Sequence, residues 1–190
     1  ISGTYSGTSE QNSSAWALYS VVLKHNLTEK THLILQHDHG FADNVAVAQT
    51  GWAPNATDAQ WYGINSHTYY DIKDNLSIGL RAEWFRDQNG FRVCSPGRVA
   101  AATGTDNRSF AVHGAQNVAF GLPADYYAVT IGANWKPAKR LKIDTKALQQ
   151  FNVRPNIRYD RADALSQVAY TPFGGQKDQV LFSMDFTLPF

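Results

Sequence analysis

The feature that most constrains this sequence is a period of two. In LSIGLRAEWFRD, Leu76, Ile78, Leu80, Ala82 and Trp84 take every second position, while Ser77, Gly79, Arg81, Glu83 and Asp87 fall between them. Successive side chains of an extended strand point to opposite faces, so this spelling gives one strand two environments. YYAVTIGANWK repeats it, with Tyr127, Val129, Ile131, Ala133 and Trp135 against Tyr126, Thr130, Gly132, Asn134 and Lys136. NVRPNIRYD sets Val153, Pro155, Ile157 and Tyr159 against Arg154, Asn156, Arg158 and Asp160. The closing DQVLFSMDFTLPF puts Val180, Phe182, Met184, Phe186, Leu188 and Phe190 on one face and Leu181, Ser183, Asp185 and Thr187 on the other. Helical spacing is weak almost everywhere, so the fold class is all-β. Pro155 has no N–H for a ladder and predicts a strand end, an edge or a bulge.

Weaker alternation marks Ala15 to Asn26, Thr31 to Gly40 and Ala59 to Ile72. With the first and last segments this makes about eight strands, each near the roughly 9–11 residues of a tilted membrane-crossing strand. LTEK, KDN and PAKR read as tight turns, whereas Gly7 to Ser14, Phe41 to Asp58, Gln88 to Ala124 and Arg161 to Lys177 are long and rich in Gly, Ser, Asn, Asp and Pro. Short and long connectors alternate strictly, which collects the tight turns at one end of the sheet. That asymmetry predicts a transmembrane antiparallel up-and-down β-barrel with short periplasmic turns and longer extracellular loops. Hydrocarbon then covers the apolar face, and closure satisfies the backbone without water. Trp16, Tyr62, Tyr70, Trp84, Tyr127, Trp135 and Tyr159 fall near strand ends, where interfacial girdles sit. Leu141 to Phe151 either prolongs a strand below the membrane or makes a larger periplasmic excursion.

Composition narrows the classes further. A chain that is 43% apolar with a net charge of +1 is neither a disordered tail nor a nucleic-acid binder. Its slightly negative mean hydropathy does not separate a soluble domain from a barrel, because alternating faces average out. No stretch approaches the roughly 20 apolar residues of a membrane-spanning helix. No signal peptide is visible at Ile1, and ISGTYSG reads as a strand already under way. The expectation is a single barrel domain over residues 1–190, or the C-terminal portion of a larger barrel, with no separate soluble domain. Cys94 is the one cysteine and reads as an incidental loop residue.

Several blocks resemble a known family. GLRAEWFRDQNGFRV at Gly79 to Val93, YYAVTIGANWKP at Tyr126 to Pro137, RPNIRYD at Arg154 to Asp160 and the terminal GGQKDQVLFSMDFTLPF, with LILQHDHG upstream, are similar to the type 2 β-barrel porins of bacterial outer membranes. The resemblance covers most of the chain and implies an outer-membrane barrel of larger strand number. The chain departs from the pattern in the Gln88 to Ala124 segment and in the Asp144 to Asn152 excursion. The resemblance also implies that Phe182, Met184, Phe186, Leu188 and Phe190 act as the lipid-facing signal read by the barrel-assembly machinery.

The polar face carries the functional expectation. Arg81, Glu83, Lys136, Arg154, Arg158, Asp160 and Asp185 all lie opposite the lipid side, where a water-filled lumen keeps charge hydrated. Rings of Arg and Lys favour anions. The bland alternative is a narrow lumen cross-braced by ion pairs. His37 and His39 of QHDHG share a strand face, but a metal needs further ligands, so they read as rim histidines and no metal or cofactor is expected. No spacing marks a nucleophile and its base, so no enzymatic reaction is expected. The Gln88 to Ala124 segment either constricts the pore or decorates the surface, the second being favoured. The expected function is an outer-membrane porin for passive diffusion of small hydrophilic solutes or ions. The rival is a structural barrel that anchors an envelope complex. Expected partners are the lipid bilayer, those solutes and a homo-oligomer or envelope assembly.

Overall fold

The computed structural model describes residues 2–7, 15–47, 55–90, 92–93, 123–138, 151–165, 172–173 and 176–188. Among these, each alternating segment forms a strand: β1 (Ser2–Gly7), β2 (Ala15–Asn26), β3 (Thr31–Val47), β4 (Asn55–Lys73), β5 (Leu76–Asp87), β6 (Ala124–Trp135), β7 (Asn152–Ala164) and β8 (Asp178–Thr187). The strands pair antiparallel in chain order from β1 to β8, an up-and-down sheet. Among the described residues the sheet does not close on itself, and β1 and β8 are its two edges.

Tight turns and rim contacts explain the meander. In LTEK the Thr28 hydroxyl accepts the backbone N–H groups of Lys30 and Thr31, at 3.2 and 3.0 Å, and closes the β2–β3 turn. Asp74 and Asn75 alone join β4 to β5. The Asp71 N–H donates to the Lys30 carbonyl and the Lys136 N–H to that of Asn75, both at 2.9 Å. Three short ends therefore meet at one rim.

Two expectations need correction. The connector from Phe41 to Asp58 is largely strand, because Val45, Ala46 and Val47 pair with Thr57, Ala56 and Asn55. A bulge between Ala42 and Val45 takes in the turn-forming Asp43 and Asn44 without ending the ladder. Pro155 sits within β7 rather than at an end, an edge or a bulge, and pairs with Met184 of β8. Its missing N–H faces β6, where the ladder carries no pairs between Gly132–Asn156 and Trp135–Val153 while the register is kept.

The sheet has no second layer among the described residues. Buried apolar side chains are few and small apart from Trp61, such as Ala42, Ala59, Ala124, Ala128 and Ala162. By contrast Phe182 is 69%, Ile131 62%, Phe186 60% and Leu188 47% exposed. Pairing in register puts Leu80, Ile131, Ile157 and Phe182 in one row across β5–β8. Tyr62, Trp84, Tyr127 and Tyr159 lie toward the long-connector end of this face, and Tyr70 and Trp135 toward the short-turn end. Trp16 does not join them. It pairs with Ala42 and shares the opposite, polar face with Ser20 and Lys24.

Rings fill the polar face where side chains are missing. The Trp61 indole lies against Gly40, occupying the place a Cβ would take, and the Tyr69 ring covers Gly79. Cross-strand aromatic cover of glycine pins register in a sheet that has no opposing core.

Candidate pore-lining surface

Residues two apart on a strand share a face, so Arg81 and Glu83 of β5 stand together, as do Arg158 and Asp160 of β7. Between them β6 presents small residues. Glu83, Ala128 and Asp160 form one row across the three strands, and Arg81, Thr130 and Arg158 form the next. An acidic row thus borders a basic one. Arg81 donates to Glu83 at 2.7 Å, Arg158 reaches over β6 to Glu83 at 2.9 Å, and Arg158 also donates to Asp160 at 2.6 Å. Strands β5 and β7 lie about 9.6 Å apart, so only a long side chain crossing a small one makes that bridge. Gln179 of β8 donates to the other oxygen of Asp160 at 3.1 Å and extends the chain of contacts to a fourth strand. Nearer the short-turn rim, Arg154 of β7 pairs with Asp185 of β8 at 2.6 Å.

These charge-assisted bonds run along the wall. Arg81 and Arg158 are 42% and 34% exposed at their side chains, so solvent screens the pairs and each contributes modestly to stability, on the order of 1 kcal/mol. Lys136 is not among them. It follows the last residue of β6 and belongs to the short-turn rim.

Beside the arginines lies a hollow of about 520 Å³, with Gly79 and Gly132 in its lining and His67, Tyr69, Arg154 and Asp185 around it. Asn65 Oδ1, Arg81 Nε, Thr130 Oγ1 and Asn134 Oδ1 are buried on this face and meet no protein partner among the described residues. Polar atoms placed so are satisfied by water.

Other groups escaped sequence reasoning. Asp87 is fully buried, and its Oδ2 accepts the backbone N–H groups of Arg92 and Val93 at 2.7 and 2.6 Å. The Arg92 guanidinium stands 5.4 Å over the Trp61 ring. On the apolar face, one row beyond Trp84 and Tyr127, Asp125 accepts two bonds from Arg86, at 2.8 and 2.5 Å, and one from the Trp84 indole at 2.9 Å. The Arg86 bonds hold the Asp125 carboxyl below its ordinary range against the opposing effect of burial. The sequence hint was WFRD, two aromatics and two charges at the end of an alternating run.

Among the terminal residues singled out, Phe182, Met184, Phe186 and Leu188 are all exposed, and Phe186 stacks on Phe151 with ring centres 6.2 Å apart. Phe190, Cys94, most of Gln88 to Ala124 and most of Leu141 to Phe151 lie outside the described residues.

The sequence model of the family described as Putative beta-barrel porin-2, OmpL-like, matches residues 1–190. The chain belongs to this porin family. No curated protein and no solved structure matches it. Membership in a β-barrel porin family places the chain among membrane proteins and points to a non-enzymatic role.

Proposed function

We propose that this chain forms wall of an outer-membrane barrel through which small hydrophilic solutes or ions diffuse passively, selected by diameter and by the charge on the polar face. The observation that carries the reading is one sheet with two chemically distinct faces. Among the described residues its apolar face is uncovered and edged by rings, while its polar face holds ion pairs and buried polar atoms without protein partners. Leu76 to Trp84 on β5, and Tyr127 to Trp135 on β6, are the stretches assigned to hydrocarbon, each nine residues long. A membrane barrel pairs every strand edge, so β1 and β8 gain partners on closure. The test is reconstitution of the protein in planar bilayers. Discrete conductance steps are expected, and a silent bilayer under every condition overturns the pore.

One observation favours a second reading, a structural barrel anchoring an envelope complex. Arg81, Arg154 and Arg158 each have a carboxylate partner, an arrangement that braces a wall as well as it lines a pathway. Copurification of a stoichiometric envelope partner together with absent conductance supports it.

A further inference from the structure

The hollow on the polar face has two unlike ends. Its middle is the pair Gly79–Gly132, flanked in the same row by Tyr69 and Asn156. Without side chains on these two strands the wall is recessed there, and the Tyr69 ring lies along the recess at Gly79. One row toward the long connectors stand Arg81, Thr130 and Arg158. Both guanidiniums line the hollow, whereas Glu83 and Asp160, which pair with them, stand a further row away and do not. Arg81 gives Glu83 its Nη2, and Arg158 gives Asp160 its Nε and Glu83 its Nη1, so each keeps further N–H groups for a ligand. The opposite end is mixed, because Arg154 lines it together with its own partner, Asp185. One end is thus cationic, and the other offers donors and acceptors side by side.

We propose that this hollow is a binding subsite for a small sugar acid, a solute with one carboxylate and several hydroxyls. The inference rests on the reading of this face as water-filled, and adds to it the class of solute. Two planar guanidiniums at one end suit a carboxylate, which takes forked N–H bonds. At the other end a hydroxyl both accepts and donates, so it satisfies Arg154 and Asp185 together, whereas a second carboxylate meets Asp185 as a like charge. Arg154 and Arg158 are four residues apart on β7, about 14 Å between Cα positions, and side chains standing upright on a sheet keep about that separation. Six carbons in extended form cover about 6 Å, and a hydrogen bond of about 2.8 Å at each end brings this to about 12 Å. Tyr69, 39% exposed beside the recess, gives the C–H groups of a sugar chain an apolar surface. The volume of about 520 Å³ falls within the roughly 300–1,000 Å³ of small-molecule pockets. With a carboxylate behind each guanidinium the hold is weak, as a pathway requires of a solute that must leave again.

Calorimetric titration of the full chain, folded in detergent micelles, with gluconate, acetate and glucose tests the subsite without conductance and without a variant. Saturable millimolar binding of gluconate is expected, with acetate, which has the carboxylate alone, and glucose, which has the hydroxyls alone, each at least roughly fivefold weaker. Arg81→Gln is expected to weaken gluconate about fivefold, the worth of a unit charge about 4 Å away in water, and Lys24→Gln, on the polar face of β2, to leave it unchanged. In planar bilayers gluconate is expected to reduce chloride conductance with the same midpoint. Gluconate that binds no tighter than glucose or acetate, equal binding in Arg81→Gln, or no saturation below about 100 mM overturns the subsite. Chloride steps that gluconate leaves untouched overturn it too, while sparing the pore. Gluconate binding in micelles beside silent bilayers supports the subsite and overturns the pore alone.

Discussion

Replacing Ile131 by arginine distinguishes hydrocarbon from water as the solvent of the apolar face. Ile131 is 62% exposed, stands midway between Tyr127 and Trp135 on β6, and faces Leu80 and Ile157 on the flanking strands. In a bilayer it lies at the midplane, and its exposure leaves room for a longer side chain. On a watery surface the substitution changes stability by less than about 0.5 kcal/mol. At the midplane of a membrane barrel arginine costs about 2–4 kcal/mol, falling to about 0–1 kcal/mol near the interfaces. Tyr127→Arg is the matched control, because four residues at about 3.4 Å, tilted by about 40°, bring it about 10 Å closer to the rim. The native Arg161 pairs with Tyr127, so a guanidinium is already accommodated at that height. The two variants are expected to differ by about 2–3 kcal/mol in the free energy of folding into lipid vesicles, measured by denaturant titration with tryptophan fluorescence. Equal costs, or an Ile131→Arg protein as stable as the parent, refute hydrocarbon contact.

Further substitutions test the polar face and the rim. Glu83→Gln removes one carboxylate from a set in which Arg81, Arg154 and Arg158 are matched by Glu83, Asp160 and Asp185. A unit charge about 7 Å from a passing ion is worth about 0.6 kcal/mol in water and half that at 0.1 M salt, so the anion-to-cation permeability ratio rises roughly threefold. The reversal potential under a salt gradient reads this, and a shift toward cations contradicts it. Gly40→Val drives a side chain into the Trp61 indole and lowers the thermal midpoint, at a cost of about 1–3 kcal/mol. Asp125 has its pKa depressed by Arg86, so its contribution is complete above the ordinary value of 3.8 and disappears as pH falls through its own lower value. Denaturation free energies followed from neutral pH to pH 2 are expected to fall less steeply in Asp125→Asn than in the parent, and parallel profiles count against the linkage.

Much of the sheet was legible because β5 to β8 write their two faces in different alphabets. Leu76 to Trp84 alternates cleanly, and the strand's ends are marked by the Asp-Asn turn and by Gln88. β2 was harder: Trp16, Leu18 and Val22 put apolar side chains on the polar face too, and this made Trp16 look like a girdle residue. The extension of β3 was hidden by Asp43 and Asn44, turn-forming residues that a bulge absorbs. The Glu83–Arg158 bridge joins residues 75 positions apart, and only the register of β5, β6 and β7 makes them neighbours across Ala128. The alternation at QHDHG gave the shared face of His37 and His39, whereas the Tyr19 hydroxyl that neighbours both comes from another strand.

Pro155 leaves the sheet with a seam. Two rungs are absent between β6 and β7, at Ala133–Pro155 and Asn134–Arg154, while β7 and β8 remain fully laced. Shear between neighbouring strands is resisted by rungs, so deformation of the cross-section concentrates along this line, where the Ala133 carbonyl has no N–H at position 155 to accept from. A cylinder with one compliant stave ovalises in a chosen direction when squeezed.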